Sequence, residues 1–171
     1  DTSGFTMVEL PYKGGNLAML VIAPRTPGGL AGIERQLAAG IPVAWSARLE
    51  GRKVKIALPR FQLEADYGLE EELQAMGMAL PFSSGADFSA MTDPSAAVGG
   101  LFISSVRQKS FIKVNERGTE AAAATVADML LDAEMTFVPE FRADRPFLFL
   151  IRDRVSGCIL FMGRVMQPAE A

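Results

Sequence analysis

Between residues 119 and 137 the chain sorts its charges by parity. The odd positions from Thr119 to Phe137 read Thr, Ala, Ala, Thr, Ala, Met, Leu, Ala, Met, Phe, and none is charged. The charged residues Glu120, Asp128, Asp132 and Glu134 all fall on even positions. An extended strand would carry every charge on one face and none on the other. A helix also accommodates these residues, since Ala121, Ala122, Ala123 and Ala124 favour it and Glu120, Asp128 and Asp132 can line one side. The helix leaves the small odd positions from Thr119 to Ala127 without a reason. A strand that has to enter a sheet already packed supplies one: small side chains pass between neighbours without forcing them off their rotamers. Fully extended, 116–137 would reach roughly 70 Å. That is far more than an ordinary strand, so part of it must lie outside any sheet.

Around this segment the chain reads as short strands and helices. Residues 5–10 mix apolar and polar side chains and close at Pro11. Tyr12-Lys13-Gly14-Gly15-Asn16 is a turn signal, and 17–23 are almost continuously apolar, which together predict a buried hairpin. Leu30, Ile33 and Leu37 at helical spacing predict a helix over 30–39 that Gly40 stops. Residues 41–49 suit a second short helix with Trp45 on its apolar side. Residues 53–58 alternate as a strand up to Pro59, and 61–64 resume as an extended stretch. Residues 67–78 read as a helix with Leu69, Leu73 and Met76 inward and Glu70, Glu71, Glu72 and Gln74 outward. A loop-rich stretch over 82–100 precedes a long strand over 103–115. Two very apolar strands, 147–151 and 159–162, are joined by a polar turn at 153–157. Strands and helices mix without regular alternation, which predicts an α+β fold rather than a doubly wound parallel sheet.

Composition excludes several classes of function. The chain has 171 residues, 49% of them hydrophobic, enough for one domain with a sizeable core. A net charge of -3 and a pI near 5.1 argue against nucleic acid as the main partner. Arg52, Lys53 and Lys55 alternate with Val54 and Ile56 and read as the wet side of a strand. There is no histidine, so the commonest general base and the commonest metal ligand are both missing. No zinc-like spacing and no glycine-rich phosphate loop is present. The expectation is no catalytic residue, no metal and no cofactor. Three successive glutamates at 70–72 do not share a helix face and read as solvated. The one cysteine, Cys158, rules out an internal disulfide and reads as a small buried residue in an apolar run. No apolar run reaches the roughly 18–20 residues of a bilayer span, so no transmembrane segment is expected. The chain opens on Asp1 without a targeting pattern, which reads as a cut or processed end. Compartment is left open, an extracellular or periplasmic setting being compatible.

Ordered motifs then give the chain a resemblance to the serpin family of protease inhibitors. Asn115-Glu116-Arg117-Gly118-Thr119-Glu120-Ala121-Ala122-Ala123-Ala124-Thr125 resembles the serpin hinge. Phe141-Arg142-Ala143-Asp144-Arg145-Pro146-Phe147-Leu148-Phe149-Leu150-Ile151 resembles the family's C-terminal signature, and Phe161-Met162-Gly163-Arg164-Val165 its closing strand. Leu58-Pro59-Arg60-Phe61, Ala86-Asp87-Phe88-Ser89 and the turn at Tyr12-Lys13-Gly14 fall in family order. Serpins are at least twice this length. The resemblance therefore implies that residues 1–171 are the C-terminal half of one serpin domain, whose N-terminal half would be a necessary partner.

The resemblance implies that 118–137 is a reactive-centre loop. A serine or cysteine endopeptidase would cut it and form a covalent acyl complex, after which the hinge would insert as a strand of the main sheet. Thr119, Ala121, Ala123, Thr125 and Ala127 would face inward, and Gly118 would let the chain turn into the sheet. Family spacing from Glu116 makes Asp132-Ala133 the scissile bond, with Leu130, Leu131 and Met135 as alternatives. Glu116 and Arg60 match positions of an ion pair where insertion begins. Gln108 stands where many serpins carry a shutter histidine, and its amide can still donate and accept. Asp87 and Ser89 read as a structural motif, not a catalytic dyad. The competing reading is a non-inhibitory serpin acting as a carrier or chaperone.

Overall fold

A computed structural model describes residues 4–39, 45, 48–91, 100–115 and 138–168. In chain order the elements are β1 (Phe5–Pro11), β2 (Leu17–Pro24), α1 (Leu30–Ala38), β3 (Lys55–Ala57), β4 (Phe61–Gly68), α2 (Glu70–Ala75), 3-10 turns at Leu80–Phe82 and Ser89–Met91, β5 (Arg107–Val114), β6 (Glu140–Arg142), β7 (Phe147–Asp153) and β8 (Ile159–Val165). They fall into two compact units, one of residues 1–61 with 113–171 and one of residues 62–112.

The larger unit is built on a four-stranded sheet of order β1-β2-β7-β8, antiparallel throughout. The β1–β2 hairpin forms because Gly14 and Gly15 supply left-handed backbone, with φ of 91° and 75°. The Tyr12 N–H then donates to the Leu17 carbonyl. The β7–β8 connection closes on Asp153, whose Oδ1 accepts from the N–H groups of Val155 (2.7 Å) and Ser156 (3.0 Å). Those two donors, Ser156 first, hold the Asp153 carboxyl below its ordinary range.

Both faces of the sheet are buried at its centre. On one face Phe5, Leu20, Ile22, Leu148 and Leu150 pack with Leu30 and Ile33 of α1 and with Trp45. The Phe5 and Trp45 rings lie 4.8 Å apart at a tilt of 55°. On the other face Phe61 sits edge-on to Phe147 at 5.7 Å and tilted to Phe149 at 5.4 Å. Gly163 of β8 lies against the Phe149 ring so closely that a Cβ there would fall 2.5 Å from Cζ. A two-stranded parallel pair, β3 with β6, completes this unit.

In the smaller unit β4 pairs with β5. Here the structure differs from the sequence expectation. Tyr67 and Gly68 belong to β4, and the helix is only Glu70–Ala75. The reason is local: the Leu69 N–H donates to the Val106 carbonyl at 2.9 Å, which holds the chain extended up to that point. Met76 lies beyond the helix and is 83% exposed rather than inward. The long strand begins at Arg107, not Ile103, because the Ile103 N–H is taken by the Pro81 carbonyl. Cys158 is exposed rather than buried, since it belongs to the turn leading into β8, whose first four residues are themselves exposed.

Candidate functional site

The segment singled out by its charge parity, 119–137, lies outside the described residues, so the site is read from what holds its two ends. On the leading side β5 ends at Val114, which is buried. On the trailing side β6 is fixed to β3, with Ile56 opposite Phe141. The Lys55 N–H donates to the Pro139 carbonyl and the Ala143 N–H to the Ala57 carbonyl, each at 2.9 Å. Phe141 and Ala143 are buried. Arg145 then turns outward and ties the following corner. Its Nε donates to Asp144 Oδ1 at 2.9 Å and its Nη1 to the Arg25 carbonyl at 2.7 Å. The Arg145 hydrogen bond holds the Asp144 carboxyl below its ordinary range. From Phe141 to Asp144 the side chains alternate, apolar ones buried and polar ones exposed, and Arg145 then ties the corner before buried Phe147.

The start of β5 is held by carboxylates of the smaller unit. Glu70 Oε1 accepts the Val106 N–H at 2.8 Å. Asp66 lies 3.4 Å from Arg107 and 3.6 Å from Lys109. The Glu70 carboxyl is depressed below its ordinary value, chiefly by its own backbone N–H, next by that of Val106, with Arg107 adding charge attraction. Sequence reading placed Glu70 on a solvated helix face with Glu71 and Glu72. The missed signal is its place two residues after Gly68, where the absence of a side chain leaves room: a Cβ on Gly68 would meet Glu70 Oε2 at 2.9 Å.

A depressed carboxylate stabilises the fold above its ordinary pKa of 4.5, and that contribution is lost as pH falls through its folded value. Protection of the Val106 amide against exchange is therefore expected to fall on acidification below about pH 4.5. Glu70→Gln should keep an acceptor and remove the pH dependence. Glu70→Ala should lose the protection at every pH, read by hydrogen exchange of that amide.

The remaining expected site residues are distributed as follows. Arg60 is exposed, directly after buried Pro59. Its expected partner Glu116 lies outside the described residues, as do Gly118 to Thr125 and the bonds considered at Leu130, Leu131, Asp132, Ala133 and Met135. Gln108 is exposed on β5, and its Nε2 donates a long 3.5 Å hydrogen bond to Ser110 Oγ. The Ser89 N–H donates to Asp87 Oδ1 at 3.0 Å and opens the 3-10 turn there, so this pair does structural work. Among the described residues no group of three His, Cys, Asp or Glu side chains could hold a metal, and no helix is long and apolar enough to cross a membrane.

Comparison with known proteins agrees with this geometry. The family model described as Serpin (serine protease inhibitor) matches residues 1–168. Serpin-Z1C of Triticum aestivum is 40% identical over 176 residues, a match covering 98% of this chain and 44% of that protein. Neuroserpin of Mus musculus is 39% identical over 165 residues, covering 96% of this chain and 39% of that protein. Among solved structures, human thyroxine-binding globulin complexed with thyroxine superposes with a TM-score of 0.77 at 29% identity, covering 99% of this chain and 43% of that one. The chain thus spans less than half the length of the relatives it matches.

Proposed function

The chain belongs to the serpin family, and from that premise we propose that it is the C-terminal half of a serpin domain acting as a suicide-substrate inhibitor of a serine or cysteine endopeptidase. Residues 118–137 are the reactive-centre loop in this reading. The observation that carries it is the uncharged odd face from Thr119 to Phe137, small up to Ala127. A loop that never entered a sheet would need no such face.

The chemistry belongs to the protease. Its nucleophile attacks the carbonyl carbon of Asp132, the bond to the Ala133 nitrogen breaks, and the new amino terminus leaves with a proton. The acyl ester holds the protease to Asp132 while the segment from Gly118 inserts beside β5. Among the described residues β5 pairs with β4 alone, and in this reading its other edge takes a strand from the loop or from the N-terminal half. Arg60 pairs with Glu116 where insertion starts, and Gln108 takes the shutter position without titrating. Each backbone hydrogen bond gained is worth about 0.5–1.5 kcal/mol net, so a dozen supply on the order of ten. Insertion needs the N-terminal half, so the isolated chain is expected to trap nothing.

A carrier function is the second reading, favoured by the thyroxine complex of a structural neighbour. Incubating the full-length protein with a protease panel separates the two. A covalent complex stable on a denaturing gel, with mass spectrometry placing the cut after Asp132, is the expected result. A cut after Leu130, Leu131 or Met135 would keep the mechanism and move the bait residue. No complex with any protease would favour the carrier.

A further inference from the structure

Positive charge gathers beside the trailing anchor of the loop, although the chain as a whole carries a net charge of -3. Residues 48–60 hold Arg48, Arg52, Lys53, Lys55 and Arg60 against Glu50 alone. Arg52, Lys53 and Lys55 are exposed. Register places part of this run on a defined face. In the parallel pair β3–β6, Lys55 lies opposite Glu140 and Ala57 opposite Arg142, while Ile56 lies opposite buried Phe141. Side chains alternate along a strand, so Lys55, Glu140 and Arg142 share the face turned away from Phe141. The carboxylates of this strand and its corner are already engaged: Glu140 by Arg142 at 2.6 Å and Asp144 by Arg145 at 2.9 Å. What the face presents beyond these pairs is cationic.

Its place along the chain says what would meet it. Eight residues separate the proposed bait, Asp132, from Glu140, a span of at most roughly 28 Å. A protease domain of about 230 residues is roughly 45 Å across. A protease held at Asp132 therefore has the β3–β6 face under its body or at its rim, on the side of the residues that follow the cut. We propose that Arg52, Lys53, Lys55 and Arg142 form a secondary docking strip for an acidic rim of the target protease, which sets how fast that protease is captured. This rests on the inhibitor reading above and adds to it a specificity determinant outside the loop. The partner is then doubly specified: a cleft that accepts an acidic bait residue, and an acidic rim beside it.

Exposed charges of this kind add little to equilibrium affinity. They act on encounter, where complementary fields raise association rates ten- to a thousandfold and salt removes the gain. The strip should therefore govern the rate of capture and leave the fate of the acyl complex alone.

The full-length protein is mixed with the protease that forms the denaturant-stable complex, and the second-order rate constant of complex formation is followed against salt. Arg52→Glu with Lys55→Glu should slow capture at least tenfold at low salt. The difference should close near 1 M salt, where screening acts within about 3 Å. The trapped fraction at completion and the unfolding temperature should match the parent. Lys13→Glu is the control for net charge: Lys13 is exposed in the β1–β2 turn, at the far end of the hairpin whose other end Arg145 ties through the Arg25 carbonyl. It should leave the rate within twofold. A complex that forms at the same rate without the strip would overturn the proposal and keep the inhibitor reading, as would equal slowing by Lys13→Glu. Dependence on Arg52 and Lys55 that arises only with added anionic polysaccharide would assign the strip to that polymer and overturn it too. No complex with any protease would overturn the inhibitor reading and the strip with it.

Discussion

Under the proposed inhibitor mechanism, Thr119→Arg in the full-length protein is expected to turn an inhibitor into a substrate. The protease would still cut the loop, because the bait residues are untouched. It would then be released, because insertion as proposed would carry position 119 to the buried side of the sheet. Leaving a charge there without a partner costs several kcal/mol. Insertion competes with hydrolysis of the acyl ester, and about 1.4 kcal/mol on the insertion barrier slows it tenfold. A rise of about 3 kcal/mol therefore shifts the outcome from mostly trapped to mostly released. Glu120→Arg is the control: it changes the outward side and should trap nearly as well as the parent. Densitometry of the denaturant-stable complex against cleaved product reads both. Full trapping by Thr119→Arg would remove the insertion account, and equal loss in both variants would remove the parity assignment.

How much of this was legible in the sequence depended on whether the deciding interaction was local. The β1–β2 hairpin, α1 and the two strands around Asp153 were readable because their signals are short-range: glycines in the turn, i to i+3 apolar spacing, continuous apolar runs. The boundary between β4 and α2 was not. The deciding contacts come from Val106, far along the chain, which takes both the Leu69 N–H and the Glu70 carboxylate. The same non-local effect removed Glu70 from the solvated face that its neighbours occupy. Cys158 was misread because an apolar run signals burial only where something covers it, and the four residues after it lie on an exposed edge. The family was legible from ordered motifs, and their physical roles became visible with the structure: Phe141 and Ala143 as buried anchors, Arg145 as a tie to the Arg25 carbonyl. The sequence pattern remains the whole support for the loop itself.

Gly163 in the closing-strand motif illustrates a residue whose reason is invisible in sequence and plain in structure. It has no need of glycine's backbone freedom; it is glycine because the Phe149 ring occupies the space a side chain would use. A Cβ would stand 2.5 Å from Cζ and 2.7 Å from Cε1. The ring cannot swing away cheaply, since it is buried and Phe61 lies against it with centroids 5.4 Å apart. Gly163→Ala is therefore expected to destabilise the chain by about 1–3 kcal/mol, and Gly163→Val by more. Phe149→Leu alone removes part of a large buried side chain and should cost about 1–3 kcal/mol through the cavity it leaves. The double change Gly163→Ala with Phe149→Leu should cost clearly less than the sum, because the new methyl enters the vacated space. A coupling of at least about 1 kcal/mol in a double-mutant cycle, measured by urea unfolding, is the expected signature of direct contact. Additive losses would mean that Gly163 is required for some reason other than the ring of Phe149.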